Sequence, residues 1–185
     1  MTQTPDRASR KALCSLSTPS TILVGSIGRT CWVKVDGRGT FQNSPGVKEF
    51  VKRMIQRGHR DFVIDLGGCE LMDSTFMGTL AGVALRLREI GQGGLRVVNA
   101  NGRNSSLLEN LGLDHLFSVE AGTEVAPKSL LHADPLSAGG AEEAKGDVLA
   151  AHEALIAAAP ENAVKFRDVV DYLRQELAQG TSTDD

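Results

Sequence analysis

One short run, Asp61-Phe62-Val63-Ile64-Asp65-Leu66, constrains the fold more than any other segment of the sequence. A nearly continuous apolar stretch of this length is typical of a strand inside a sheet whose two faces are both covered. A loop over residues 67–73 follows, and then a helix predicted at about 74–90 that ends at Gly91. A buried strand that leads into a helix is half of a β-α-β unit. The chain is therefore predicted to have an α/β fold.

The segments around this unit continue the alternation of strands and helices. Further strands are predicted near 22–27, 31–35, 95–99 and 116–119, and a short third helix near 104–111. In the second strand Cys31, Val33 and Val35 alternate with Trp32 and Lys34, which predicts one buried face. The sequence Gly37-Arg38-Gly39-Thr40 is predicted to end that strand.

The first helix is predicted over 44–58, with Ser44 as its N-cap and Pro45 at its first position. Its apolar residues recur at a helical spacing and define one buried stripe. They are Val47, Phe50, Val51, Met54 and Ile55. The full order β-β-α-β-α-β-α-β predicts a mixed β-sheet covered by helices.

Composition divides the chain into five parts. Residues 1–20 are polar and rich in Ser and Thr and are predicted to be a poorly ordered leader, and 21–120 form the α/β domain. A Gly-, Ala-, Pro- and Ser-rich linker is predicted at 121–140, a helical hairpin at 141–180, and a frayed tail at 181–185. Pro160 interrupts the hairpin. Its apolar stripe, which is Val169, Val170 or Tyr172, Leu173 and Leu177, fits equally well a hairpin packed on the domain and one that forms a homodimer or binds a partner.

Charge and cysteine usage exclude several classes of function. The net charge of −3 and the scattered Lys and Arg residues argue against nucleic-acid binding. No run has the roughly 20 apolar residues that span a bilayer, and the N-terminus lacks the apolar core of a signal peptide, so a cytoplasmic protein is expected. Three widely spaced cysteines and four dispersed histidines predict neither a disulfide framework nor a metal site. No cofactor is predicted.

The segment Asp73-Ser74-Thr75 stands where the buried strand meets the second helix. The free N–H groups and the dipole of a helix N-terminus attract a phosphate group, so a phosphorylated serine fits this place. Asp, Ser and Thr are also the ordinary capping residues of helices, and from the residues alone capping is the favoured explanation. A catalytic serine is less favoured, because Ser74 has no GxSxG motif and no histidine near it in sequence.

The strand, followed by Leu71-Met72-Asp73-Ser74-Thr75 and a helix of small residues, resembles the sulfate transporter and anti-sigma factor antagonist (STAS) domain. The resemblance continues through 93–99 and 107–117. It implies phosphorylation of Ser74, with Thr75 as the second candidate. It also implies a partner-binding surface, which is formed by Met72, Asp73, Ser74, Thr75, Phe76 and Met77. Phe76-Met77-Gly78 replaces the Gly-Leu-Gly of the family pattern, and Gly37-Arg38-Gly39-Thr40 replaces an acidic pattern after the second strand. Phe76 fits either an exposed contact or the core.

By this resemblance the chain is an anti-sigma factor antagonist and not an enzyme. An anti-sigma factor or related serine/threonine kinase would bind the unphosphorylated surface, phosphorylation of Ser74 would release it, and a serine phosphatase would reset the switch. Two alternatives remain: a STAS scaffold or sensor subunit that is not phosphorylated, and a small serine hydrolase or transferase that uses Ser74.

Overall fold

The computed structural model describes residues 20–120, 122, 124–132 and 141–180. Nearly all of the predicted leader, the later part of the predicted linker and the predicted tail at 181–185 lie outside these residues. The strands are β1 (Thr21–Ile27), β2 (Thr30–Gly39), β3 (Asp61–Met72), β4 (Gly94–Val98), β5 (Ser118–Glu120) and β6 (Leu131–His132). The helices are α1 (Ser44–Gln56), α2 (Ser74–Ile90), α3 (Gly102–Asn110), α4 (Ala141–Ala158) and α5 (Ala163–Gly180).

The strands form one mixed sheet in the order β5-β4-β3-β2-β1-β6. Strands β2 to β5 are mutually parallel along this order, whereas β1 runs antiparallel to both β2 and β6. The parallel pairs are joined through α1, α2 and α3, as β-α-β connections require. The predicted mixed sheet covered by helices is confirmed.

The main core lies between the sheet and the helices. Cys31, Val33 and Val35 of β2 are completely buried there, so the predicted alternation of faces is found, but the prediction of only one buried face is wrong because Trp32 is buried on the other. The stripe of α1 faces the same core, with Val47, Val51 and Met54 buried and the other two members partly buried. The predicted cap is wrong by one residue, because Ser44 is already helical and Asn43 occupies the cap position.

The opposite face of the sheet carries a second, smaller cluster. Trp32, Val63 and Val98 are buried on it, and Ala126 and Leu130 pack against them. The two latter residues belong to the segment predicted as a linker. The short strand β6 in the same segment pairs with β1, so this part of the chain is an ordered cover for the sheet.

Two strands are longer than the sequence predicts. The prediction that β2 ends at Gly37 is wrong, and so is the prediction that residues 67–72 form a loop. The two segments pair with each other, with Gly37 opposite Cys69 and Gly39 opposite Met72. The register shifts twice along this pairing, once before Asp36 and once between Gly37 and Arg38. Glycines are unfavourable in an isolated strand, but the backbone hydrogen bonds of a matching partner outweigh that preference here. The extension brings Gly39 to the start of α2.

The C-terminal hairpin packs on the domain. Helix α4 lies along α2, and Leu155 of α4 is completely buried in the main core. Val170 and Leu173 of α5 are buried, while Val169 and Tyr172 are exposed. Of the two arrangements that the apolar stripe allows, the structure shows packing on the chain's own domain. A homodimer through these helices stays a prediction.

The buried thiol of Cys31 gives a prediction for alkaline pH. Burial, and secondarily the carboxylate of Asp61, raise the pKa of Cys31 from 9.0 to about 11. The unfolded chain releases this proton before the folded chain does, so the thiol's contribution to stability is complete below about pH 9 and is lost as the pH rises toward 11. The measured quantity is the difference in the free energy of unfolding between the unmodified chain and Cys31→Ala, determined in urea with reductant. We expect this difference to fall by about 2 kcal/mol between about pH 8.5 and 10.5. A difference that stays constant over this range would contradict the prediction.

Candidate functional site

Asp73 joins the end of β3 to the start of α2. One oxygen of its carboxylate, Oδ1, accepts a hydrogen bond of 2.8 Å from the backbone N–H of Phe76 and caps the helix. The other, Oδ2, accepts one of 2.8 Å from the N–H of Phe41, in the connection between β2 and α1. The N–H of Asp73 donates to the carbonyl oxygen of Gly39 at 3.0 Å. Asp73 therefore fixes two segments of chain around the helix N-terminus.

Ser74 is the first residue of α2 and is half-buried. Its hydroxyl lies 3.0 Å from Nε2 of His152, which belongs to α4. The other ring nitrogen, Nδ1, lies 2.8 Å from the carbonyl oxygen of Val148. A carbonyl only accepts, so Nδ1 carries a proton, and in the neutral imidazole Nε2 accepts the hydrogen bond that Ser74 donates. His152 is 5% exposed. Its ring and the ring of Phe166 are in an edge-to-face arrangement, with their centroids 5.1 Å apart.

His152 is the site residue that the sequence did not predict. It lies 78 residues from Ser74, in an alanine-rich helix outside the predicted domain. The sequence carries only a weak signal for it, which is a single imidazole in an alanine-rich helix. A pairing of this kind depends on how the hairpin docks, and the hairpin's periodicity does not determine that.

The six residues predicted to bind a partner lie together at this junction, but at different depths. Met72, Thr75, Phe76 and Met77 are buried, and Asp73 and Ser74 are half-buried. Phe76 is completely buried in the main core, so of its two possible placements the structure shows the core. The role of these residues in binding, and that of Thr75 as a second phosphate acceptor, stay predictions.

Gly39 explains how α2 accommodates Phe76. A Cβ atom added at position 39 would lie 2.7–2.9 Å from three carbon atoms of the Phe76 ring, closer than packed side chains approach. The ring therefore fills the space that a side chain at position 39 would occupy. The two departures from the family pattern, one in β2 and one in α2, meet in this contact.

The sequence profile of the STAS domain matches residues 21–126, which is more than half of the chain. The chain belongs to the STAS domain family. A relative from Staphylococcus aureus, named anti-sigma-B factor antagonist, is 33% identical over 93 residues, and the match covers 50% of this chain and 85% of the relative. The crystal structure of an anti-sigma factor antagonist from Mycobacterium paratuberculosis superposes with a TM-score of 0.51 at 25% identity, over 58% of this chain and 92% of that one.

These matches make the chain a STAS protein of the anti-sigma factor antagonist type. The STAS match ends at residue 126, so α4, α5 and His152 lie beyond it. The STAS part supplies Asp73 and Ser74, and the extension supplies the imidazole that meets Ser74.

Among the described residues, no group of three or more His, Cys, Asp or Glu side chains is placed to hold a metal ion. No helix in the part of the chain that the structure describes is long and apolar enough to cross a membrane.

Proposed function

We propose that this STAS protein is a cytoplasmic partner-switching regulator whose state is set by phosphorylation of Ser74. The unphosphorylated chain binds an anti-sigma factor or a related serine/threonine kinase, that kinase phosphorylates Ser74, and a serine phosphatase restores the binding form. The observation that carries the proposal is the position of the Ser74 hydroxyl, at a helix N-terminus directly after Asp73 in a STAS domain of the antagonist type.

The local electrostatics support a switch at this position. A phosphoserine adds roughly 1.5–2 negative charges, and the free N–H groups at the start of α2 favour a phosphate there. The carboxylate of Asp73 lies next to it, and both of its oxygens already accept backbone hydrogen bonds. Phosphorylation therefore concentrates negative charge on one small patch without disturbing the sheet. A partner that fits the neutral hydroxyl meets an unpaired charge after the transfer.

The distance between Ser74 and His152 favours one other function, that of a serine hydrolase or transferase, because histidine is the usual base for a serine nucleophile. The rest of the arrangement supports it less. The imidazole is oriented by the carbonyl oxygen of Val148 and not by a carboxylate, and it lies buried between packed helices. Loss of ester hydrolysis in both Ser74→Ala and His152→Ala would support the enzyme, whereas a hydrolysis rate equal to that of buffer would exclude it.

The switch is tested by comparing Ser74→Ala with Ser74→Asp as baits in an extract of the source cells. We expect Ser74→Ala to retain an ATP-binding kinase or anti-sigma factor, and Ser74→Asp to bind that protein at least about tenfold more weakly, which is ~1.4 kcal/mol. Ser26→Asp adds the same charge to an exposed serine of β1 and should bind like the unmodified chain.

The captured kinase is then incubated with ATP and the unmodified chain, and the phosphate is located by mass spectrometry. Phosphate on Ser74 supports the switch. Phosphate on neither Ser74 nor Thr75, together with equal binding of the two variants, would overturn the switch and favour the STAS scaffold.

A further inference from the structure

Helix α4 approaches α2 unusually closely next to Ser74. A Cβ atom added at Gly78, one turn along α2, would overlap the carbonyl oxygen of Ala151, while one added at Gly82 would make an ordinary contact of 3.7 Å with Cβ of Ala154. Small residues on both helices thus let the two backbones meet at this level. No bulkier side chain fits at position 78 while α4 stays in place.

Polar contacts attach the hairpin to the rest of the domain at several points. His152 accepts the hydrogen bond from Ser74, and Asp147 pairs with Lys48 of α1 at 2.6 Å. At the turn between α4 and α5 the buried side chain of Asn162 donates to the carbonyl oxygens of Leu111 and Leu155, at 2.9 and 2.8 Å. The hairpin is therefore docked through specific contacts that include the hydroxyl proposed to accept phosphate.

We propose that the α4–α5 hairpin is an intramolecular cap over Ser74, and that docking of the hairpin and phosphorylation of Ser74 exclude each other. This inference rests on the proposed function, because it describes how the same hydroxyl is controlled. The closed form shown by the structure is the resting state. The unphosphorylated form in which the hairpin has left α2 is the one that a partner binds and a kinase phosphorylates, and the negative charge of the phosphate then releases the partner.

The chemistry of the transfer requires an open hydroxyl. The Ser74 oxygen attacks the γ-phosphorus of ATP, the new O–P bond forms as the bond to the ADP oxygen breaks, and the hydroxyl proton passes to a base of the kinase. The phosphorus must come within about 3–3.5 Å of the oxygen and in line with the leaving group. In the closed form the hydroxyl donates to His152 and α4 covers that side of it. The phosphorylated residue also needs room for three more oxygen atoms at this contact.

Reciprocity makes the cap testable without any kinase. If closing the hairpin disfavours phosphate on Ser74, phosphate on Ser74 must open the hairpin by the same factor. Phosphoserine is therefore placed at position 74 during synthesis of the full chain, and hydrogen exchange of the α4 amides is compared with that of the unmodified chain. We expect these amides to exchange at least about tenfold faster, while β3 stays protected.

A matched pair of glycine variants tests the cap without changing Ser74. Gly78→Ala should speed exchange in α4 at least about tenfold, because its methyl group displaces Ala151, and an alanine at this position favours α2 itself. Gly82→Ala makes the same change one turn later and should leave exchange in α4 within about twofold of the unmodified chain.

Exchange in α4 that is unchanged or slower with phosphoserine at position 74 would overturn the cap, and so would equal exchange rates in the two glycine variants. Failure of the switch has a different signature, since the captured kinase would then leave no phosphate on Ser74. The two results can also differ. If synthetic phosphoserine opens the hairpin but the captured kinase never phosphorylates Ser74, the cap is supported and the switch is rejected.

Discussion

Phe76→Ala is expected to lower the free energy of unfolding by about 3–5 kcal/mol, the usual cost of removing a large aromatic side chain from a core. Phe76 is completely buried between the sheet and α2, and its ring fills the space above Gly39. Truncation leaves a cavity between the sheet and α2. Urea denaturation measures the loss. Phe41→Ala is the matched control, since Phe41 is 52% exposed and its truncation should change stability by less than about 0.5 kcal/mol.

The same contact can be tested from the other side. Gly39→Ala places a methyl group against the Phe76 ring and should cost about 1–3 kcal/mol, the usual range for overpacking. When Gly39→Ala is combined with Phe76→Leu, the loss should be smaller than the sum of the two single losses, because the smaller side chain yields space. If Phe76→Ala instead kept full stability and only weakened partner binding, Phe76 would be a contact residue and the core placement would be wrong.

Periodicity predicted the parts of the fold in which one residue type repeats on one face. The alternation in β2 and the stripe of α1 are both found, because burial of regularly spaced apolar side chains dominates the folding of such segments. The small residues of α2 did not predict its neighbour on the outer side, which is α4.

Pairing between distant segments explains the larger errors in the predicted secondary structure. Residues 67–72 contain two glycines and a glutamate and are typical of a loop, yet they form a strand because residues 36–39 pair with them. Neither segment predicts a strand alone, and the register that joins them is a property of the folded sheet. The error at the predicted linker has the same cause, since β6 lies in that segment and pairs with the distant strand β1.

The candidate site also has a part that the sequence predicts and a part that it does not. Asp73 as a helix cap and Ser74 at the helix start follow from local sequence, because capping depends on residues within one turn. The hydrogen bond from Ser74 to His152 joins residues 78 positions apart and depends on the docking of a hairpin beyond the STAS domain. Local sequence therefore predicts the acceptor hydroxyl but not the group that covers it.

Leu155→Ala is expected to destabilise the closed protein by about 2–5 kcal/mol. Leu155 lies in α4, beyond the STAS match, yet it is completely buried in the same core cluster as Phe62 and Leu80. If the hairpin completes the core, Leu155→Ala lowers the free energy of global unfolding and the free energy of hairpin opening by similar amounts. Both processes begin from the closed form, which is the state that the substitution destabilises. Urea denaturation measures the first, and hydrogen exchange of the α4 amides measures the second.

Val164→Ala provides the control for Leu155→Ala. Val164 is in α5 and 94% exposed, so its truncation should change both free energies by less than about 0.5 kcal/mol. A hairpin that merely trails from the domain would give a different result, in which Leu155→Ala leaves the denaturation midpoint of the sheet unchanged. Because the cap over Ser74 requires a closed form with a measurable opening free energy, equal behaviour of the two variants would also remove the physical basis for control of Ser74 by the hairpin.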